Sequence, residues 1–182
     1  REIAQSGKGE IGAHLHPWCT PPLTVQNGEE YSHVINLPAE LVEQKLTTLT
    51  ENIKANIGVT PTTFRTGRWG INPPTLKSLI AAGYKTDSSI YPYYSNDYFS
   101  CLDSHPFPYW PDLTHPDKPS IQRDIFELPI TAGFNRSNFS VWSKVHRLLS
   151  SSHLRAFRPI GLAWKTQALR KLYLSPELTD TS

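Results

Sequence analysis

Gly12-Ala13-His14-Leu15-His16-Pro17-Trp18 is the stretch from which the fold and chemistry of this chain are best inferred. Alternate residues of a β-strand point to the same face, so a strand over residues 10–16 places His14 and His16 side by side. Two neutral imidazoles presented together are a common way to hold a zinc ion. Pro17 has no N–H for the sheet and ends the strand, which puts the pair at its mouth. The alternative is a His-x-His on a solvated strand that binds nothing.

Signals for strands and helices alternate after this stretch. Between residues 41 and 57 apolar residues recur every fourth position, after Pro38 and before Gly58, and this spacing predicts an amphipathic helix. Further strands are predicted over residues 62–65, 84–87, 125–131 and 169–175, and further helices from Pro73 and over residues 139–149. The alternation is typical of βαβ units and predicts an α/β fold with parallel strands and helices packed outside them.

Residues 90–122 interrupt this rhythm with many prolines, tyrosines and aspartates. A loop of this length inside a domain is usually functional or disordered, and its aromatic content favours a structured loop that faces substrate. The 182 residues suit a single domain with a real core. The chain has no methionine, residues 1–6 resemble the end of an element, and Thr179-Asp180 resembles a helix cap. We therefore expect a fragment of a larger domain, incomplete at both ends.

Composition excludes several classes of partner. The net charge is +2 and the basic residues are scattered, so neither nucleic acid nor a membrane surface is an expected partner. No apolar run approaches the roughly 20 residues that a membrane span needs, and no signal peptide opens the chain. The compartment stays open at this point, and a cytoplasmic location is the expectation. Nothing in the sequence requires Cys19 and Cys101 to pair. Cys19 follows His16 closely enough to be a third metal ligand, but a simple thiol is the plainer interpretation.

Polar and charged side chains lie at the ends of the predicted strands. In parallel α/β barrels the functional groups gather at the carboxyl ends of the strands. Here those ends carry His14 and His16, Arg65, Asp87 and the segment Ser175-Pro176-Glu177. Each has a structural explanation by itself, as a surface charge, a cap or a solvated imidazole. Their common location predicts a functional face.

Five segments form an ordered set: Glu10-Ile11-Gly12-Ala13-His14, Phe64-Arg65-Thr66-Gly67-Arg68-Trp69-Gly70, Gly83-Tyr84-Lys85-Thr86-Asp87-Ser88-Ser89-Ile90-Tyr91-Pro92, Phe107-Pro108-Tyr109-Trp110-Pro111-Asp112 and Glu127-Leu128-Pro129-Ile130-Thr131. In this order they resemble the polysaccharide deacetylases, the family-four carbohydrate esterases with a NodB-homology domain. The first resembles the strand that delivers the metal histidines and the second resembles the arginine motif. The third resembles a segment of a subgroup linked to exopolysaccharide clusters. The likeness covers most of the chain.

The resemblance implies a distorted (β/α) barrel, of which residues 1–182 are the central part. It implies a hydrolase that removes N-acetyl groups from a bacterial surface polysaccharide or its precursor. It also implies a divalent metal ion, with zinc as the first choice, that activates the attacking water. The family's aspartates, one of them the base, come from a strand that precedes Arg1, and no closing histidine motif is found before Ser182. This stretch of chain therefore lacks the expected base.

The resemblance also implies residue roles. It assigns metal binding to His14 and His16; the family pattern spaces its histidines four apart, but Trp18 occupies that position here. Arg65 is implied to pair with the base, and Asp87 to orient a neighbouring histidine or the arginine. A backbone N–H near Arg68 and Trp69 is a candidate oxyanion donor. The implied sugar-contacting residues are Trp18, Arg68, Trp69, Tyr91 and Trp110, although core packing is the alternative for each aromatic.

Three other interpretations stay open. The first is a hydrolase of small cyclic amides or imides on the same fold. The second is a relative that binds glycans without catalysis. In the third, the two histidines bind no metal and the likeness is one of fold only.

Overall fold

The structure is a computed structural model that describes residue 2 and residues 6–23, 28–150, 154 and 159–173. Its centre is a parallel sheet with the strand order β1 (Ala13–Leu15), β2 (Thr63–Thr66), β3 (Thr86–Asp87) and β4 (Phe126–Glu127). The helices are α1 (Ala39–Ile57), α2 (Pro73–Ala81), α3 (Phe139–Leu149) and α4 (Pro159–Lys165), with short 3-10 turns at Glu29–Ser32 and Val34–Asn36. A separate antiparallel pair joins β5 (Ala132–Phe134) to β6 (Lys171–Tyr173).

The first two helices begin and end where proline, asparagine and glycine predict. α1 follows Pro38 and ends at Gly58, whose φ of 84° lies in the left-handed region that glycine tolerates. α2 has Pro73 in its first turn, and the side chain of Asn72 accepts a hydrogen bond from the Thr75 N–H. These local signals set the crossovers that make β1, β2 and β3 parallel, so the predicted α/β arrangement is confirmed.

The last strands differ from the prediction. The predicted strand over residues 125–131 ends at Glu127, because Pro129 has no N–H to continue the ladder. The chain then leaves the sheet, and the predicted last strand pairs antiparallel with β5 instead of extending the parallel sheet. The described residues thus form an open parallel sheet, and a closed barrel is not among the features they show. Residues 174–182, with Ser175-Pro176-Glu177 and the cap at Thr179-Asp180, lie outside the described residues, as does most of the element expected over residues 1–6.

The two faces of the sheet differ in character. Ala13, Leu15 and Phe64 point to one face and are buried in the core formed with α1 and α2. His14 and Arg65 point to the other face, which is exposed and is called the open face below. A cavity of about 500 Å³ lies on this open face, bounded by residues of β1, β2 and β3. Helices α1 and α2 therefore cover one side of the sheet, and the other side is exposed.

The long loop over residues 90–122 is irregular, as expected, but it is folded. Tyr93, Cys101 and Tyr109 are buried within it, and the Tyr109 hydroxyl donates a hydrogen bond of 2.6 Å to the Pro116 carbonyl. Backbone bonds between Tyr109 and Glu127 attach the loop to the edge of the sheet. None of the helices in the described residues has the length and apolarity that crossing a bilayer requires.

Candidate functional site

The two imidazoles of the opening stretch lie side by side, as the strand spacing predicts. The ring centroids of His14 and His16 are 4.6 Å apart, and the planes meet nearly at a right angle. His14 is on β1, directly opposite Arg65 of β2, and is exposed on the open face. His16 follows the strand and is half-buried. We call these two residues the imidazole pair.

The surroundings of the pair favour the neutral imidazole. Burial lowers the pKa of His14, and the nearby His16 and Arg65 lower it further. Burial, aided by the Arg68 guanidinium, lowers the pKa of His16. A neutral imidazole keeps the lone pair with which histidine binds metals. The lowered pKa values therefore favour, in both rings, the neutral form that metal binding requires.

His16 is held against the arginine motif by a glycine. Its Nδ1 is buried and has no hydrogen-bond partner within the described part of the chain. The ring lies directly on Gly67, where an added Cβ would overlap Nδ1, Cε1 and Cγ. The Gly67 N–H donates a 2.8 Å hydrogen bond to the Leu15 carbonyl, which fixes the two segments together. The turn that follows β2 can therefore approach the imidazole pair closely only because residue 67 is a glycine.

Arg65 is tethered on the open face next to the pair. Its Nε donates to the Ser88 carbonyl at 3.2 Å and its Nη2 donates to the Ser88 hydroxyl at 3.0 Å. The guanidinium carbon lies 5.0 Å from the ring centroid of Trp69. Among the residues that the structure describes, no carboxylate forms an ion pair with Arg65. Its charge is therefore available to an anionic group placed over the open face.

Trp18 and Arg68 extend the site beyond His16. The Trp18 ring is 52% exposed and its centroid lies 4.4 Å from that of His16. The Arg68 guanidinium lies over Trp18 at 5.5 Å and makes an exposed ion pair of 3.1 Å with Glu29. This part of the site thus presents an exposed aromatic face beside charged side chains.

Trp69 and Tyr91 form a second aromatic contact, whereas Trp110 lies elsewhere. The Trp69 and Tyr91 centroids are 5.1 Å apart, and Tyr91 stacks on Tyr94 at 4.7 Å. Trp110 contacts Phe126 at 5.0 Å and the Arg123 guanidinium at 5.1 Å. A polar groove of about 350 Å³ lies along this side of the site and is lined by Glu29, His33, Gly67, Arg68, Trp69, Tyr94, Asn96, Asp97 and Tyr98.

Asp87 is not brought to the imidazole pair or to Arg65. It pairs in register with Phe64 and Glu127, and this row of the sheet points away from the open face. Asp87 is fully buried and accepts a 2.6 Å hydrogen bond from the Ser89 hydroxyl, and burial raises its pKa to about 6. The strand ends where expected, but the alternation of side chains turns Asp87 inward and presents Ser88 to Arg65.

Sequence reasoning missed Glu127 and Lys45. Burial, followed by the charge of Asp87, raises the pKa of Glu127 well above its usual range. Lys45 is buried, and its ammonium donates to the carbonyls of Pro17, Thr20 and Pro22 at 2.9, 2.6 and 2.8 Å. The sequence did carry a signal for Lys45, because this lysine occupies a position on the face of α1 that is otherwise apolar. This ammonium holds the loop that carries Trp18.

The described residues supply a partial set of metal donors. They contain no group of three histidine, cysteine, aspartate or glutamate side chains placed to hold one metal ion. Cys19 and Cys101 are both free thiols, the first exposed and the second buried. The Cys19 thiol lies 3.6 Å from the His16 carbonyl oxygen. The imidazole pair therefore stands as two donors on the open face.

No protein-family model, curated protein or solved structure matches the chain. The site combines two neutral imidazoles, a tethered guanidinium and an exposed tryptophan.

Proposed function

We propose that this protein hydrolyses N-acetyl groups on a bacterial surface polysaccharide or its precursor, in a metal-dependent reaction in the cytoplasm. One observation carries the proposal: the rings of His14 and His16 lie 4.6 Å apart beside Arg65 on the open face of a parallel sheet. We propose further that the sheet is one arc of a distorted (β/α) barrel whose interior is the open face. Functional groups at the carboxyl ends of its strands are what such a barrel requires.

The imidazole pair can supply two of the protein donors that a divalent metal ion needs. Its two rings are close, and burial lowers the pKa of both, which favours the neutral imidazole that binds metals. Zinc in catalytic sites takes three protein donors, so the proposal requires one more. The resemblance implies an aspartate in this role. A metal held there supplies Lewis-acid activation of water and of the acetamide carbonyl.

Arg65 and the turn after β2 have roles of their own in this proposal. The Arg65 guanidinium, held by Ser88, would keep ionised the carboxylate base that the resemblance implies. The Trp69 N–H already donates to the Thr66 carbonyl at 3.4 Å, and the Gly70 N–H to the Ser89 carbonyl at 2.9 Å. The Arg68 N–H makes no such bond within the described part of the chain, so it is the donor we propose for the oxyanion. Loss of one oxyanion donor costs about 10²–10³ in rate.

A polymeric substrate suits the surroundings of the pair. His14 is exposed, and Trp18 and the groove beside Arg68 continue the surface away from it. Sugar units on either side of the reacting N-acetyl group therefore find aromatic and polar partners. A small amide or imide calls for a closed pocket, which the exposed His14 and Trp18 do not favour.

The experiment that tests the proposal is release of acetate from N-acetylglucosamine oligomers by the intact protein. We expect release that a chelator abolishes and added zinc restores, and that His14→Ala removes while His115→Ala retains. His115 is a suitable control because its side chain is 75% exposed and pairs with Asp112. Oligomers that bind without releasing acetate would favour a non-catalytic glycan-binding protein. Acetate release that the chelator leaves unchanged would reject the metal mechanism.

A further inference from the structure

A second cavity, unrelated to the imidazole pair, lies between α3, α4 and the loop that carries Tyr93. Its volume is about 340 Å³, within the range of small-molecule sites. It shares no lining residue with the cavity on the open face. Its walls are largely apolar and include Leu102, Leu149 and Ile160, while His146 and Lys171 supply polar groups. The cavity thus has an apolar body and a basic end.

His146 has an unpartnered nitrogen at this cavity. Only 2% of the residue is exposed, and its Nε2 is buried without a hydrogen-bond partner in the described residues. The other nitrogen, Nδ1, lies 3.4 Å from the Ser150 hydroxyl. If that hydroxyl donates, the ring carries its proton on Nε2 and becomes a donor. Buried polar groups in folded proteins nearly always have partners, so this one indicates a ligand that accepts a hydrogen bond.

Lys171 brings a positive charge that the described chain does not balance. Its ammonium donates to the Tyr93 carbonyl at 2.6 Å and lies about 6 Å from the rings of Tyr94 and Tyr173. No carboxylate pairs with it among the described residues. An ammonium has three donors, and one is used here. The side chain is partly buried, and taking a charge out of water is costly unless an opposite charge accompanies it.

We propose that this cavity binds a small monocarboxylate with an apolar body, with its carboxylate on Lys171 and His146 and its body between Leu149 and Ile160. One ammonium and one neutral donor match one carboxylate better than a phosphate, whose larger charge needs more cations. The apolar walls match a short aliphatic or aromatic body.

The test compares 4-fluorobenzoate with its neutral isostere 4-fluorobenzamide by fluorine NMR titration of the intact protein. We expect the acid to bind at least about tenfold more tightly than the amide. Lys171→Met should weaken the acid about tenfold or more, and Leu149→Trp should block it by filling the cavity. Arg147→Met is the matched control, because Arg147 is on the same helix but pairs outward with Asp103. It should bind the acid within about twofold of the wild type.

Two results would overturn the proposal. Equal affinity for the acid and the amide would show that the basic end plays no part. No binding of the acid at about 10 mM would show that the cavity is not a carboxylate site. Both comparisons use the wild-type protein, so they decide the question even where Lys171→Met fails to fold. Circular dichroism establishes which variants are folded.

Discussion

His14 and Arg65 lie directly opposite each other on neighbouring parallel strands, and both side chains point to the open face. In the row before them, Ala13 and Phe64 are buried beneath the helices. Successive residues of β1 and β2 therefore point alternately to the core and to the site. Substitutions at the site alter its chemistry while the core that positions it remains.

Gly67→Ala should disturb the imidazole pair without touching a ligand. The added methyl group overlaps the His16 ring, so the ring must shift from its position beside His14. We expect a loss of metal affinity of about 10–100-fold, the range seen when groups that orient ligands are changed. Metal titration measures it, with Gly133→Ala as the control because nothing lies within 4 Å of an added Cβ there. Equal effects of the two substitutions would contradict the role given to Gly67.

Trp18→Ala should weaken binding of N-acetylglucosamine oligomers. The exposed ring beside His16 offers an apolar face to a sugar, and losing such a contact costs about 0.5–1.5 kcal/mol, or roughly two- to tenfold in affinity. Titration calorimetry measures the change. Trp164→Ala is the control, since Trp164 is 57% exposed but lies on α4. The assignment fails if Trp164→Ala weakens binding as much as Trp18→Ala.

Lys45→Met should destabilise the protein strongly. Its ammonium satisfies three carbonyls of the loop that carries Trp18, and methionine leaves them unpaired in a buried place. Since a hydrogen bond to a charged group contributes about 1.5–3 kcal/mol, we expect a loss of about 3 kcal/mol or more in the free energy of unfolding. Urea denaturation measures it. Lys54→Met, an exposed change on the same helix, should cost less than about 1 kcal/mol; an equal loss would refute the role of Lys45.

The buried carboxyls of Asp87 and Glu127 should make the free energy of unfolding fall as pH rises. Burial raises the pKa of Asp87 to about 6, and the pKa of Glu127 lies well above its usual range. Unfolded carboxyls titrate near pH 4, so the folded state holds more protons than the unfolded state. The pair's contribution is fully present below about pH 4 and is lost as pH rises through about 6 and beyond.

In the Asp87→Asn/Glu127→Gln double variant, the loss of stability between about pH 4 and pH 8 that the buried pair causes should disappear. Urea denaturation from about pH 4 to 8 measures the difference between wild type and variant. Asp112→Asn is the contrast, because hydrogen bonds from Thr114 lower the pKa of Asp112. The contribution of Asp112 is present above the unfolded pKa and is lost as pH falls through the folded value. A wild-type-to-double-variant difference that is constant with pH would show that the buried pair does not titrate.

The sequence predicts the first half of the fold because its signals are local. Pro38, Gly58 and Pro73 mark helix ends through backbone geometry alone, and the i, i+2 spacing of His14 and His16 needs no knowledge of the rest of the chain. Helix spacing also predicts α3 correctly, as Phe139–Leu149.

Features that depend on register and packing are not predictable in this way. Asp87 lies at a strand end, as expected, but its pairing with Phe64 turns it into the interior. The role of Lys45 depends on three carbonyls 23–28 residues away along the chain. The antiparallel pairing of β5 with β6 depends on where the chain goes after Pro129.

Metal binding by the intact protein tests the central claim most directly. Zinc or cobalt titration of the wild type, His14→Ala, His16→Ala and the control His115→Ala should show one ion per chain in the wild type and in the control. Each of the two site variants should lose at least about tenfold in affinity. If both site variants bind the ion as tightly as the control does, the imidazole pair is not a metal site and the proposed deacetylase chemistry has no basis.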